Sequence, residues 1–137
     1  GNDLSGQSFL DMFGGAGLMG LEAWSRGANV TVIERNGRAY RDIVGRGRSL
    51  GADWKVRRGD ALKVIQDLEA FDIVFVDPPY KMDMTPILEG VLHCARNVLV
   101  AETKEGYVPA PTLGHLVLSR HRVYGGTALT VYRLEDA

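Results

Sequence analysis

The stretch Ser8-Phe-Leu-Asp-Met-Phe-Gly-Gly-Ala-Gly-Leu-Met-Gly20 decides the fold. Ser8 to Phe13 reads as a buried β-strand. Glycines follow at once. Leu18 to Arg26 then reads as a helix, with Leu18, Leu21, Ala23 and Trp24 apolar and a Glu22–Arg26 pair at i, i+4. Gly15-Ala-Gly17-Leu-Met-Gly20 matches G-x-G-x-x-G, a loop that turns tightly and brings backbone close to a ligand at a helix N-terminus. Asn29 to Glu34 is a second β-rich run, and its terminal acid lies nineteen residues after Gly15. A carboxylate at that place can accept hydrogen bonds from two ribose hydroxyls. The order strand, loop, helix, strand, acid suits an adenosine-bearing ligand and leaves NAD, FAD and S-adenosylmethionine open.

Outward from this core the alternation continues. Asn36 to Leu50 reads as a helix weakened by Gly45 and Gly47 and closed by Gly51. Trp54 to Arg58 is a short strand. Ala61 to Glu69 is a short helix, and Phe71 to Val76 is a strand that is apolar on both faces except at Asp72. Asp83 to Ala95 reads as a helix and Asn97 to Ala101 as a strand. Such βα alternation predicts a parallel sheet covered on both sides. The end of the chain differs. Gly106 to Gly114, with Pro109 and Pro111, reads as a loop. Leu116 to Tyr124 and Ala128 to Leu134 are β-rich runs joined by Gly125-Gly126-Thr127, a hairpin signal. The expectation is an α/β, Rossmann-like, doubly wound sheet, mostly parallel and seven-stranded, with a C-terminal antiparallel hairpin.

Composition narrows the class further. The chain has 137 residues, 45% hydrophobic and 24% charged, with a formal net charge of −1, which predicts one ordinary globular domain over residues 1–137. No run approaches the ~20 apolar residues of a membrane span, and no secretory leader is expected. A single cysteine, Cys94, excludes an internal disulfide and suits a reducing, cytoplasmic setting. His93, His115 and His121 lack metal-ligand spacing, so no metal is expected. Nothing indicates an oligomer. Eight of the sixteen basic residues lie between Arg35 and Arg58, opposed there only by Asp42 and Asp53. That cluster is either a solvated helix face or a phosphate-binding patch.

Two acids bear on the choice of ligand. Asp11 lies on the first strand just ahead of the glycines, where a carboxylate can hold an amino group, directly or through water, and repels a pyrophosphate. Asp60 follows the third strand, where it can accept from an adenine amine while also capping the next helix. Both favour S-adenosylmethionine.

Asp77-Pro78-Pro79-Tyr80 follows the fourth strand, at the crevice end of a doubly wound sheet. Two prolines remove two N–H donors and hold the backbone extended, while their carbonyls still accept. Asp77 and the Pro78 carbonyl can take the two hydrogens of an exocyclic amine, and Tyr80 can stack on the base.

With these motifs the chain resembles the class I S-adenosylmethionine-dependent methyltransferases marked by (Asp/Asn)-Pro-Pro-(Tyr/Phe). Within them it is most similar to the bacterial ribosomal small-subunit RNA guanine-N2 methyltransferase family. The matching stretches are Phe9 to Gly17, Gly20-Leu-Glu-Ala-Trp-Ser-Arg-Gly-Ala28, Glu34-Arg-Asn36, Gly59-Asp60, Asp77 to Tyr80 and Tyr124 to Tyr132. The resemblance implies methyl transfer from S-adenosylmethionine to guanine N2 of 16S ribosomal RNA, with the ribosomal RNA or small subunit as partner. The implied catalytic set is Asp77, Pro78, Pro79 and Tyr80. The implied cofactor-binding set is Asp11, Phe13, Gly14, Gly15, Gly17, Glu34, Arg35, Asp60 and Ala61. Gly14 stands where the family usually carries alanine. Family members also carry a segment before the first strand with an arginine-containing stretch, and the present chain is expected to be a core without it. The other readings are an adenine-N6 methyltransferase, an NAD- or FAD-dependent oxidoreductase, and a non-catalytic S-adenosylmethionine- or RNA-binding module.

Overall fold

The computed structural model describes residues 3–15, 18–79 and 81–135. Their strands form one eight-stranded sheet. In chain order they are β1 (Ser8–Asp11), β2 (Asn29–Glu34), β3 (Lys55–Arg58), β4 (Phe71–Val76), β5 (Ala95–Lys104), β6 (Thr112–Leu113), β7 (Leu116–Tyr124) and β8 (Thr127–Leu134). The helices are α1 (Leu18–Ser25), α2 (Gly37–Leu50), α3 (Ala61–Val64) and α4 (Met84–Val91). The spatial order is β3-β2-β1-β4-β5-β8-β7-β6. β1 to β5 pair in parallel, and β8, β7 and β6 pair antiparallel.

The Rossmann-like expectation therefore holds, with one correction. The sheet has eight strands rather than seven. The extra one is the two-residue β6, which lies in the segment read as a loop. Thr112 and Leu113 pair with Val117 and Leu116 at the open edge of β7. A bridge that short carries no alternation to read from sequence.

The strand period of two sorts the core into two layers. Leu10, Met12, Ile33, Val74 and Val76 pack with Ile65, Ile87, Leu88 and Val91 from the α3 and α4 side. Phe9, Val30, Val32 and Phe75 pack with Ala23 and Ile43 from the α1 and α2 side. Asp11 shares the parity of Phe9, so the sheet turns its carboxylate toward α1. The odd polar residue of β4 is also accounted for. Asp72 accepts from the Ser8 N–H at 2.9 Å and pairs with Arg96 at 3.0 Å, which ties the starts of β1, β4 and β5 together.

Helix ends follow local chemistry. Asn36 caps α2 by accepting from the Ala39 N–H at 3.0 Å, and Gly51 closes it in the left-handed region at φ 67°. Asp60 and Asp83 cap α3 and α4 in the same way. Both of these helices are shorter than their sequence suggests. Each tightens into a 3-10 turn, at Ile65–Asp67 and Leu92–Cys94. The two turns meet where His93 Nε2 lies 3.1 Å from the Ile65 carbonyl oxygen. β5, in contrast, extends past its expected limits at both ends, because Ala95 pairs with Phe71 of β4 and β8 pairs with it from Val98 to Lys104. Among the described residues no helix is long and apolar enough to cross a membrane.

Strand order reverses at β1 and β4, whose C-terminal ends open a crevice. Ligands of open α/β sheets bind at that position.

Candidate active site

The crevice is built from backbone hydrogen bonds first. After β1 the chain stays tied to its neighbours. Met12 N–H donates to the Phe75 carbonyl at 3.0 Å, and Gly14 N–H donates to the Ile33 carbonyl at 2.7 Å. A Cβ on Gly14 would lie 2.6 Å from Val32 Cγ1 and 3.1 Å from the Ile33 carbonyl oxygen. Gly14 is thus a close-approach glycine buried against β2, and it does not line the crevice. Gly15 turns the chain at φ 54° and presents its N–H to Glu34 Oε1 at 2.6 Å. Glu34 Oε2 accepts from the Asn36 N–H at 2.7 Å. One side chain thereby fixes the glycine loop against the start of α2. A carboxylate has about four lone-pair sites, so two ribose hydroxyls still find acceptors.

These elements enclose a cavity of about 270 Å³ lined by Met12, Phe13, Gly15, Ile33, Glu34, Arg35, Gly59, Asp60, Ala61, Leu62, Pro79 and Met82. Seven residues singled out from the sequence meet there: Phe13, Gly15, Glu34, Arg35, Asp60, Ala61 and Pro79. Asp60 Oδ1 accepts the Leu62 N–H at 3.0 Å, so capping uses one oxygen of the carboxylate. Gly17 and Tyr80 lie outside the described residues.

Asp11 sits beneath the loop. It is 2% exposed, and its Oδ1 has no hydrogen-bond partner among the described residues. Burial pushes its carboxyl up to about 7. The Gly20 N–H opposes that rise, the negative charge of Asp77 adds to it, the Phe13 N–H opposes it, and Glu34 adds a little more. Three acids from three strand ends therefore share one electrostatic neighbourhood.

A second cavity, of about 220 Å³, opens on the other side of the prolines. Pro78, Pro79, Met82, Asp83, Met84, Glu102, Thr103, Lys104 and Tyr107 line it. Pro79 and Met82 belong to both cavities, and the Met82 N–H donates to the Pro79 carbonyl at 3.0 Å to close the turn between them. Asp77 immediately precedes Pro78 of this wall. Its carboxyl is pushed up to about 6, first by partial burial and then by a hydrogen bond to, and the charge of, the Glu102 carboxyl.

Glu102, Thr103 and Tyr107 carry no motif. What brings Glu102 to Asp77 is the β4–β5 register, which puts Val76 opposite Ala101. Reading Glu102 as a neighbour of Asp77 from sequence would have required that pairing.

The three histidines are spread apart. Nε2 of His115 lies 2.7 Å from the Ala95 carbonyl oxygen, and Nδ1 of His121 lies 2.8 Å from Thr130 Oγ1. No group of three or more candidate metal ligands exists among the described residues.

The family model described as "Conserved hypothetical protein 95" matches residues 1–133. The chain belongs to that family. It is 31% identical over 134 residues to the ribosomal RNA small subunit methyltransferase D of Escherichia coli (strain K12), covering 92% of this chain and 68% of that protein. It is 29% identical over 136 residues to YlbH of Bacillus subtilis (strain 168), covering 90% of this chain and 74% of that protein. Among solved structures, a conserved hypothetical protein of Streptococcus pyogenes superposes with a TM-score of 0.86 at 28% identity, over 98% of this chain and 90% of that one. The family is thus one of ribosomal RNA methyltransferases, and the Rossmann-like sheet with its antiparallel end is their fold.

Proposed function

We propose that the chain transfers a methyl group from S-adenosylmethionine to the N2 amine of a guanine in small-subunit ribosomal RNA. The observation that carries this reading is the trio of acids at the switch point, with one buried carboxylate oxygen of Asp11 left without a partner. A buried acceptor in that state costs about 1–3 kcal/mol, and an ammonium group offsets it. The methionine end of S-adenosylmethionine carries an ammonium and a sulfonium. A dinucleotide instead places a pyrophosphate there, which Asp11, Asp77 and Glu34 repel. The residues present therefore fit S-adenosylmethionine and disfavour the nicotinamide and flavin readings.

When bound, S-adenosylmethionine supplies a methyl group on an electron-poor sulfur. The chain supplies position and charge. Asp11 holds the amino group from below the glycine loop. Glu34 accepts from the ribose and Asp60 from the adenine amine, over the apolar floor of Phe13, Ile33 and Leu62. Asp77 and the Pro78 carbonyl accept the two hydrogens of the target amine. That contact stabilises the positive charge developing on nitrogen and turns its lone pair out of the ring. Asp77 Oδ takes the proton that the methylated nitrogen releases. The prolines have no N–H to compete for the same acceptors. Holding both reactants at a fixed distance across the Pro78-Pro79 wall supplies much of the remaining rate. The substrate follows the name of the Escherichia coli relative, and guanine N2 follows the resemblance together with the donors on that base.

The test is labelled methyl transfer to naked ribosomal RNA, small subunits and DNA, with mass spectrometry of the nucleosides formed. N2-methylguanosine in small-subunit RNA is the expected product, lost in Asp77→Ala. N6-methyladenosine alone would move the reading to adenine. Tight NADH binding without S-adenosylhomocysteine binding would overturn it. No incorporation by the native chain, with S-adenosylhomocysteine bound, would leave a binding module.

A further inference from the structure

Glu102 has no role in the chemistry above, yet it is placed to meet the base. β4 and β5 run in register up to Val76 and Ala101, so Asp77, just past the end of β4, comes beside Glu102, which is still on β5. The Glu102 carboxyl lies close enough to Asp77 to raise its carboxyl, through a hydrogen bond and through its charge. Glu102 lines the second cavity beside Thr103, a residue 7% exposed whose Oγ1 has no hydrogen-bond partner among the described residues. Buried hydroxyls in folded chains are nearly always paired. An unpaired one lining a cavity, next to two neighbouring carboxyls, marks a place for a polar planar ligand.

Resting on the methyltransfer reading, we propose that Glu102 is the specificity-determining residue of this cavity: it accepts the N1–H of a guanine whose N2 amine is held at Asp77, and thereby rejects adenine. Guanine carries N1–H and the N2 amine next to each other on one edge, both donors. Two adjacent carboxyls are the complementary pair. The guanine edge continues with O6, an acceptor, and the Thr103 hydroxyl is a donor on the wall. Adenine presents the lone pair of N1 beside its amine, and cytosine presents N3. Either would set a lone pair against the Glu102 carboxylate and leave both unpaired. Sites built to receive a substrate N–H reject analogues lacking it far more strongly than apolar pockets reject a methyl group. Enzymes that act on an extruded base read it by this same edge.

Glu102→Gln tests the proposal, because an amide can accept from guanine N1–H or donate to adenine N1. The substrates are a small-subunit ribosomal RNA transcript and the same transcript with its methylated guanine replaced by adenine. Native protein is expected to methylate only the first. Glu102→Gln should lower the guanine-to-adenine rate ratio by at least about 100-fold. Its affinity for S-adenosylhomocysteine, measured by calorimetry, should stay within about twofold, since Glu102 is outside the first cavity. If the variant turns over neither transcript, their relative affinities, read by anisotropy with S-adenosylhomocysteine present, supply the ratio. An unchanged ratio in Glu102→Gln overturns the role of Glu102 and leaves the methyltransfer reading standing. A native chain that methylates adenine, or nothing, overturns that reading and this proposal with it.

Discussion

Glu34 Oε1 accepts from the Gly15 N–H at 2.6 Å across the mouth of the first cavity. The acid that closes β2 therefore shapes the glycine loop as well as facing the ligand. Glu34→Ala removes the contact to Gly15 and the contact to Asn36 together. Hydrogen bonds to a charged group contribute about 1.5–3 kcal/mol. The affinity for S-adenosylhomocysteine should fall by roughly 10- to 100-fold. Calorimetric titration measures it, and an unchanged affinity would remove Glu34 from the ligand site.

Asp11 gives the fold a pH dependence of definite sign. Its folded carboxyl titrates at about 7, against 3.8 when unperturbed. Between those values the folded chain holds a proton that the unfolded chain has lost. Stability is therefore fullest below the lower value, declines as pH rises through the interval, and levels above about 7. A separation of that size corresponds to a difference on the order of 4 kcal/mol. Asp77, also raised, acts in the same direction. Asp11→Asn should unfold at higher urea concentration than the native chain at pH 8 and differ little at pH 4. It should also bind S-adenosylhomocysteine more weakly. A variant no more stable at pH 8 would mean that Asp11 is not held protonated by burial.

Two glycines of α2 separate propensity from packing. A Cβ at Gly45 meets nothing within 4 Å, so Gly45→Ala should stabilise by about 0.5–1 kcal/mol. A Cβ at Gly47 would collide with the indole Nε1 of Trp54. Gly47→Ala should destabilise by about 1–3 kcal/mol despite its better helix propensity. Thermal denaturation of the two variants compares them directly, and a stabilised Gly47→Ala would show that the indole yields.

The contrast between those glycines also marks what could be read without coordinates. Both weaken a helical pattern equally on paper, and only the approach of Trp54 tells them apart. The meeting of Glu34 and Asp60 at one cavity was legible because Glu34 ends β2 and Asp60 follows β3 after a single glycine. Glu102 was not, because it stands twenty-five residues from Asp77 and reaches it only through the β4–β5 ladder. Tyr107 is likewise brought to its cavity from the loop beyond β5. The parallel half of the sheet was legible from apolar runs. The 3-10 endings of α3 and α4 were not, since the apolar spacing continues through them while Leu68 and Ala95 already adopt extended backbone.

Pro79 and Met82 line both cavities, and one 3.0 Å hydrogen bond sets the turn that carries them. A partition held so simply is expected to link the two compartments thermodynamically. Any ligand that settles the turn on one side presents a changed wall to the other. Whatever factor the first ligand applies to the second, the second returns to the first. The affinity for a guanine-bearing RNA should then depend on whether S-adenosylhomocysteine is present, and by the same factor in reverse. Equal RNA affinities with and without it would mean that the partition is rigid and the two compartments fill independently.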